Sequence, residues 1–269
     1  MRKTIVYGVL AGGAILFGYP FVWMMVGSLK PELDISSLSL LPSSWSLHSY
    51  TAVLGKIPLA RAFLNSVLVS LATTASVVLF GSMVGYALAK LNFIGRKLLY
   101  VLILFTMMIP FQITLIPQYI LMVKLGWTDS YLGLVAPSMM SAFGIILFRQ
   151  FFMAVPQALI EAARIDGCSE VGILVRVIWP LSRPVVLTVG LLTFMTSWNE
   201  VLWPMMVVRE RSLMTMPQIV ALFTIGGEAE SQLGPLLAAA TMLSLPVIVA
   251  YALFQRQFIE SMASSGVKG

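Results

Sequence analysis

Apolar residues in this chain gather into six long runs, residues 4–29, 63–88, 98–121, 132–152, 185–208 and 236–254, parted by shorter polar segments. About 20 residues at a rise of 1.5 Å cross the hydrocarbon core of a bilayer, and each run is close to that length or longer. In hydrocarbon, a helix satisfies every backbone N–H and C=O within its own segment, so each run predicts a transmembrane helix. The alternating ten-residue pattern of a membrane barrel is absent. The first run is too long for the apolar region of a cleaved signal peptide and has no small-residue cleavage site after it. The pattern predicts an all-α polytopic membrane protein of six transmembrane helices, a single domain over residues 1–269.

Composition supports lipid as the outer solvent. The chain is 59% hydrophobic and only 10% charged, with a mean hydropathy of +0.93. Soluble domains are usually about 45–50% apolar, and 269 residues with so few charges could not make a polar skin. Cys168 is the single cysteine and His48 the single histidine, which excludes an internal disulfide, a cysteine metal site and a histidine cluster. The ordinary reading of these two is a buried thiol and a surface imidazole. The net charge of +6 does not point to nucleic acid, because the basic residues are scattered between apolar runs.

Those basic residues set a topology. With the N-terminus inside, eleven of the seventeen Lys and Arg fall on inner segments, among them Lys90, Arg96, Lys97, Arg149, Arg164, Arg176 and Arg183. The positive-inside rule then predicts both termini in the cytoplasm. It also puts the longest polar block, EAARIDGCSEVGILVRVIWPLSRP at residues 161–184, on the cytoplasmic side between spans four and five. Its charges are Glu161, Arg164, Asp166, Glu170, Arg176 and Arg183. At the bilayer centre these would cost on the order of 15–20 kcal/mol, with nothing nearby to offset it. The block belongs to a cytoplasmic loop, residues 153–183.

The loop reads as two short helices. Pro156 suits a first turn, Gln157 to Asp166 are mostly good helix formers, and Gly167 sits where a left-handed C-terminal residue belongs. Ser169 can cap a second helix with Glu170 near its positive end, and Pro180 and Pro184 close it. Such an element can fill a cleft on a partner: Ala158, Ala162 and Ala163 permit close approach, and Glu161, Arg164 and Asp166 offer charged hydrogen bonds. A solvated connecting loop is the competing reading.

At this point the residues carry a resemblance. Glu-Ala-Ala, three residues, Gly, nine residues, then Ile-x-Leu-Pro marks a loop of ABC importer permeases. Here it reads Glu161-Ala162-Ala163, Gly167, then Val177-Ile178-Trp179-Pro180, with Val177 and Trp179 departing from the pattern. The chain as a whole resembles the second permease subunit of maltose-type carbohydrate importers, on MIPFQITLIPQY (residues 108–119), SWNEVLWP (197–204) and QRQFIESMASSGVKG (255–269). The resemblance implies that Glu161, Ala162, Ala163, Asp166 and Gly167 form a coupling element that docks on a cytoplasmic ATPase, a dimer of like or unlike subunits. It implies that the tail, Ser264, Ser265, Gly266, Val267, Lys268 and Gly269, reaches between the ATPase subunits. It also implies a second, unlike permease as partner, and an extracytoplasmic substrate-binding protein meeting an outer loop at residues 209–234. A sugar or polyol would be the solute. No cofactor is expected on this chain, with ATP and Mg on the ATPase. The absence of a Gly-x4-Gly-Lys-Ser/Thr phosphate loop agrees with that, and so does the expectation of no catalytic or metal set.

Translocation-path candidates follow from polar residues at membrane depth. Gln112, Thr114 and Gln118 lie around Pro110 and Pro117, either in a broken segment lining the path or in a kink bonded to a neighbour. Asn199 and Glu200 sit in the outer half of span five, as pore lining or as an intersubunit clamp. Trp198 and Trp203 beside them could stack on a sugar or anchor at the interface. Gly81 and Gly85 form a small-x-x-x-small pair suited to close helix packing, and the 17 Met read as core filler. The competing function is a subunit of an ion-coupled secondary transporter or channel, for which only Glu200 offers an intramembrane charge. A membrane-embedded enzyme lacks the residues.

Overall fold

The computed structural model describes residues 2–35, 39, 41–225 and 232–266. Among the described residues there is no strand. Helix α1 covers Arg2–Gly27, α2 Glu32–Ile35, α3 His48–Lys56 and α4 Leu59–Lys90. Then come α5 Arg96–Met107, α6 Phe111–Leu125, α7 Tyr131–Val135 with a tight turn Ala136–Ser138, and α8 Ala142–Met153. The polar block holds α9 Gln157–Ile165, α10 Glu170–Ile173, a widened turn Leu174–Ile178 and α11 Trp179–Leu181. The chain ends through α12 Arg183–Trp198, α13 Leu202–Val207, α14 Met216–Ile225 and α15 Leu233–Gly266.

The all-α expectation holds, but the six spans are not six unbroken rods. Two helices, Lys3–Gly27 and Leu59–Lys90, are long and apolar enough to cross a membrane alone, and three bent pairs raise that to five. The pair α5–α6 is bent by 101° where Pro110 interrupts the ladder, whereas Pro117 sits inside α6 without breaking it. Tyr131–Ser138 meets α8 at 46°. The run at 185–208 stops at Trp198 and restarts as α13, and Glu170–Leu181 meets α12 at 91° beside Ser182. Hydropathy averages across such breaks, because a bent apolar segment is as greasy as a straight one. The stretch at 209–234, expected as an outer loop, contains α14 with Met216, Ile219 and Phe223 buried.

The fold divides into two compact units, Met1–Ala62 with Met216–Ala250, and Phe63–Thr215 with Tyr251–Gly269. In the first, the Glu32 carboxylate accepts from the backbone N–H of Leu233 at 2.7 Å and of Gly234 at 3.0 Å. An anion there satisfies two orphan donors at the start of α15. Asp34 accepts from the Ser43 hydroxyl and N–H, which hold its carboxyl below the usual range.

The second unit carries the polar block. Its apolar centre joins Val77 and Tyr86 of α4, Phe148 and Phe152 of α8, Ile160 and Ala163 of α9, Ile173, Leu174 and Ile178 beyond it, and Val185 and Val189 of α12. Gly85 lets α4 close on α8: a Cβ there would meet the Phe148 Cβ at 2.7 Å. Three helices start the same way, with Ser130, Ser141 and Ser169 accepting from the N–H of Gly133, Gly144 and Gly172. On the side predicted to be external, Asp129 (φ 50°) accepts from the N–H of Arg209 at 2.6 Å and Glu210 at 2.9 Å, tying the α6–α7 turn to the end of α13. The backbone donors of Glu210 and Arg209 keep its carboxyl below the usual range. Asn65 of α4 is 1% exposed and fully engaged: it donates to Ser212 O and Met214 O and accepts from the Tyr131 hydroxyl.

Candidate functional site

The polar block forms the helix–Gly–helix element that its sequence predicts. Gly167 has φ +79°, with open space around it, and Ser169 caps α10. Helix α9 turns Ile160 and Ala163 inward, so Ala163 packs against the chain's own core. Ala158, Glu161, Ala162 and Ile165, spaced three and four apart, share the opposite, exposed face. Ile165 is 87% exposed at its end, with Asp166 and Gly167 beside it. The outer stripe of this helix is thus two alanines, a carboxylate and a bare isoleucine.

Polar ties fasten this element to α4. Arg164 Nε donates to Glu170 Oε1 at 2.7 Å, and the Tyr86 hydroxyl donates to Glu170 Oε2. Arg164 chiefly, and Tyr86 with it, hold the Glu170 carboxyl below the usual carboxylate range. One turn up the same helix, Ser82 Oγ accepts from Trp179 Nε1 at 3.1 Å.

Above this, in the same unit, lies a cavity of about 580 Å³ between α4, α6, α8, α12 and α13. Of the path candidates, Gln118 and Glu200 line it together. Gln112, Thr114 and Asn199 do not. Gln112 is exposed, the Thr114 hydroxyl donates to Phe111 O of its own helix, and Asn199 Nδ2 donates to Met195 O. Trp198 cannot serve as a stacking platform, because it is buried between Phe63 and Phe194, with ring centroids at 5.8 and 5.9 Å. Trp203 reaches the wall, with Nε1 donating to Gly133 O at 2.9 Å, and its backbone N–H donates to Glu200 Oε1 at 3.2 Å. One oxygen of Glu200 therefore opens α13.

Sequence reasoning missed much of the wall: Thr73 of α4, Ser138 and Ser141 before α8, and Thr193, Thr196 and Ser197 of α12. Thr73 is 3% exposed, and neither its Oγ1 nor Gln118 Oε1 has a hydrogen-bond partner among the described residues. The available signal was hydroxyl spacing, since Ser66, Ser70 and Thr73 repeat at helical intervals inside an apolar run. Among the described residues, no group of three or more His, Cys, Asp or Glu could hold a metal ion. The backbone of Ser264, Ser265 and Gly266 ends α15, while Val267, Lys268 and Gly269 lie outside the described residues.

Comparison with known proteins adds what one chain cannot. The model of the family described as binding-protein-dependent transport system inner membrane component matches residues 77–262. The arabinooligosaccharides transport system permease protein AraQ of Bacillus subtilis is 33% identical over 95% of this chain and 92% of its own length. The lactose transport system permease protein LacG of Rhizobium radiobacter is 28% identical over 98% and 96%. A crystal structure of a bacterial ABC transporter involved in the import of the acidic polysaccharide alginate contains a chain that superposes with a TM-score of 0.82 at 27% identity, covering 96% of each. The ion-coupled alternative falls with these matches, and ATP hydrolysis belongs to a separate subunit. The chain belongs to the family of binding-protein-dependent transport system inner membrane components, as a multi-pass permease of an ABC importer.

Proposed function

We propose that this chain is one of two unlike permeases in a carbohydrate importer, and that its cavity forms part of the sugar path. The observation that carries this reading is a cavity whose wall brings together the polar side chains of Thr73, Gln118, Thr193, Thr196, Ser197 and Glu200 among apolar helices. Hydroxyl, amide and carboxylate groups converging on one cavity suit a hydroxyl-rich solute, which offers donors and acceptors at that density. Relatives named for arabinooligosaccharides and lactose support the same class of solute.

Energy enters through α9. The exposed face of Ala158, Glu161, Ala162 and Ile165, with Asp166 and Gly167, docks on the ATPase, which carries ATP and Mg. ATP binding closes the ATPase pair and biases the permeases between inward- and outward-facing states. The tail from Ser264 to Gly269 reaches toward the ATPase pair, and the segment at 209–234 meets the extracytoplasmic binding protein. Both termini lie in the cytoplasm.

The test is uptake of a labelled neutral oligosaccharide by proteoliposomes holding this chain with its unlike permease, ATPase and binding protein. ATP-dependent uptake is expected, and Glu161→Lys lowers solute imported per ATP about tenfold or more without loss of assembly. Wild-type coupling in Glu161→Lys would remove the docking role, and transport of non-sugars alone would remove the carbohydrate assignment.

A further inference from the structure

We infer that Glu170 is a positioning residue for coupling, a strut that transmits displacement of the docking helix to the wall of the solute cavity. The inference rests on the proposed docking of α9. Its basis is the geometry of one carboxylate shared between two elements. Arg164, on the exposed docking helix, holds Oε1 at 2.7 Å, while Tyr86, near the cytoplasmic end of α4, holds Oε2.

Apolar packing surrounds this link and carries strain too, but the hydrophobic effect itself is non-directional and names no particular partner. Charge-assisted hydrogen bonds fix distance and direction, and those to an ionised carboxylate are roughly twice as strong as neutral ones. Tyr86 is 3% exposed, and its ring sits in the cluster with Ile160 and Ile173, so its hydroxyl has little freedom to follow a different partner. Trp179, donating to Ser82, gives the same face of α4 a second hold four residues away.

The far end of the lever is the cavity. Helix α4 runs unbroken over Leu59–Lys90, so Tyr86 and Thr73 belong to one rod. At 1.5 Å per residue they stand about 20 Å apart along it. Val69, Thr73 and Val77 on that rod line the cavity. A pull on α9 therefore reaches the cavity wall through Arg164, Glu170 and Tyr86, without requiring the core between them to repack.

The experiment compares ATP hydrolysed per solute imported in the reconstituted four-component transporter for Tyr86→Phe, Glu170→Ala, both together, and Glu161→Lys. Tyr86→Phe removes one hydroxyl and keeps the buried ring, so folding is preserved. We expect the ratio to rise about tenfold in Glu170→Ala and severalfold in Tyr86→Phe, and the double variant to be no worse than Glu170→Ala, since both break one link. Glu170→Gln, with one accepting oxygen and no charge, should recover only part of the coupling lost in Glu170→Ala. A wild-type ratio in Tyr86→Phe and Glu170→Ala, or a lowered melting temperature with the ratio unchanged, would overturn the strut. If those two stay coupled while Glu161→Lys uncouples, the strut alone fails. If Glu161→Lys also stays coupled, the docking reading fails and takes the strut with it.

Discussion

Two glycines one turn apart on α4 face the same ring and differ in consequence. A Cβ at Gly81 would stand 3.6 Å from the Phe148 ring, an ordinary contact. At Gly85 it would meet the Phe148 Cβ at 2.7 Å and two backbone atoms, Arg149 N and Ile145 O, at 3.1 Å. Backbone cannot rotate away, so Gly85→Ala must push α8 off α4, which costs about 1–3 kcal/mol as overpacking. We expect Gly85→Ala to lower the melting temperature in detergent and Gly81→Ala to leave it within error. Equal melting for the two would show that the α4–α8 contact is not set by these residues. The glycine pair was visible in the sequence, but which member bears the contact was not. Periodicity gives a face, and only the path of the second helix gives the point of closest approach.

Helix ends show basic side chains with two uses. Arg96 begins α5, where a positive charge opposes the helix dipole. It turns back instead to the end of α4 and donates to Leu88 O at 2.8 Å, Leu91 O at 3.2 Å and Ala89 O at 3.2 Å. Lys90 reaches the end of α8, donating to Met153 O at 3.4 Å and to Val155 O just beyond the helix at 2.6 Å. Carbonyls left over in the last turn of a helix need such partners. Arg96→Ala strips three at once and should cost about 1–3 kcal/mol in thermal unfolding. Arg96→Lys, with one compact donor group in place of a fork, should recover only part of that. Full recovery by Lys would mean that charge near the dipole, and not the fork, does the capping. The sequence showed these residues as topology signals and showed the Ser169 cap and the Gly167 stop outright, because those rules act within four residues. It showed Pro110 as a candidate break. It did not show the break at Asn199, the burial of Trp198 between Phe63 and Phe194, or the Arg164–Glu170–Tyr86 link, which depend on elements distant in the chain.

At the scale of the molecule, charge and greasiness divide the labour. The apolar window of α1 has no buried residue, and Leu98, Phe105, Ile113 and Ile116 of α5 and α6 are exposed. In water such surface would drive aggregation. In a bilayer, lipid tails solvate it as well as leucine does, and association rests on packing and polar contacts instead. What orients the chain is then the distribution of Lys and Arg, and the proposed topology puts α9 and Asp129 on opposite sides of the membrane. Single cysteines test this in a Cys168→Ser background, which has no other thiol. A cysteine at Gln157, exposed on α9, should react with a membrane-impermeant maleimide only after cells are opened. A cysteine at Ser212, also exposed, should react in cells whose inner membrane is intact. Reversed labelling would put the docking face outside, where no ATPase could reach it. Labelling of both sites from one side would break the span count between them.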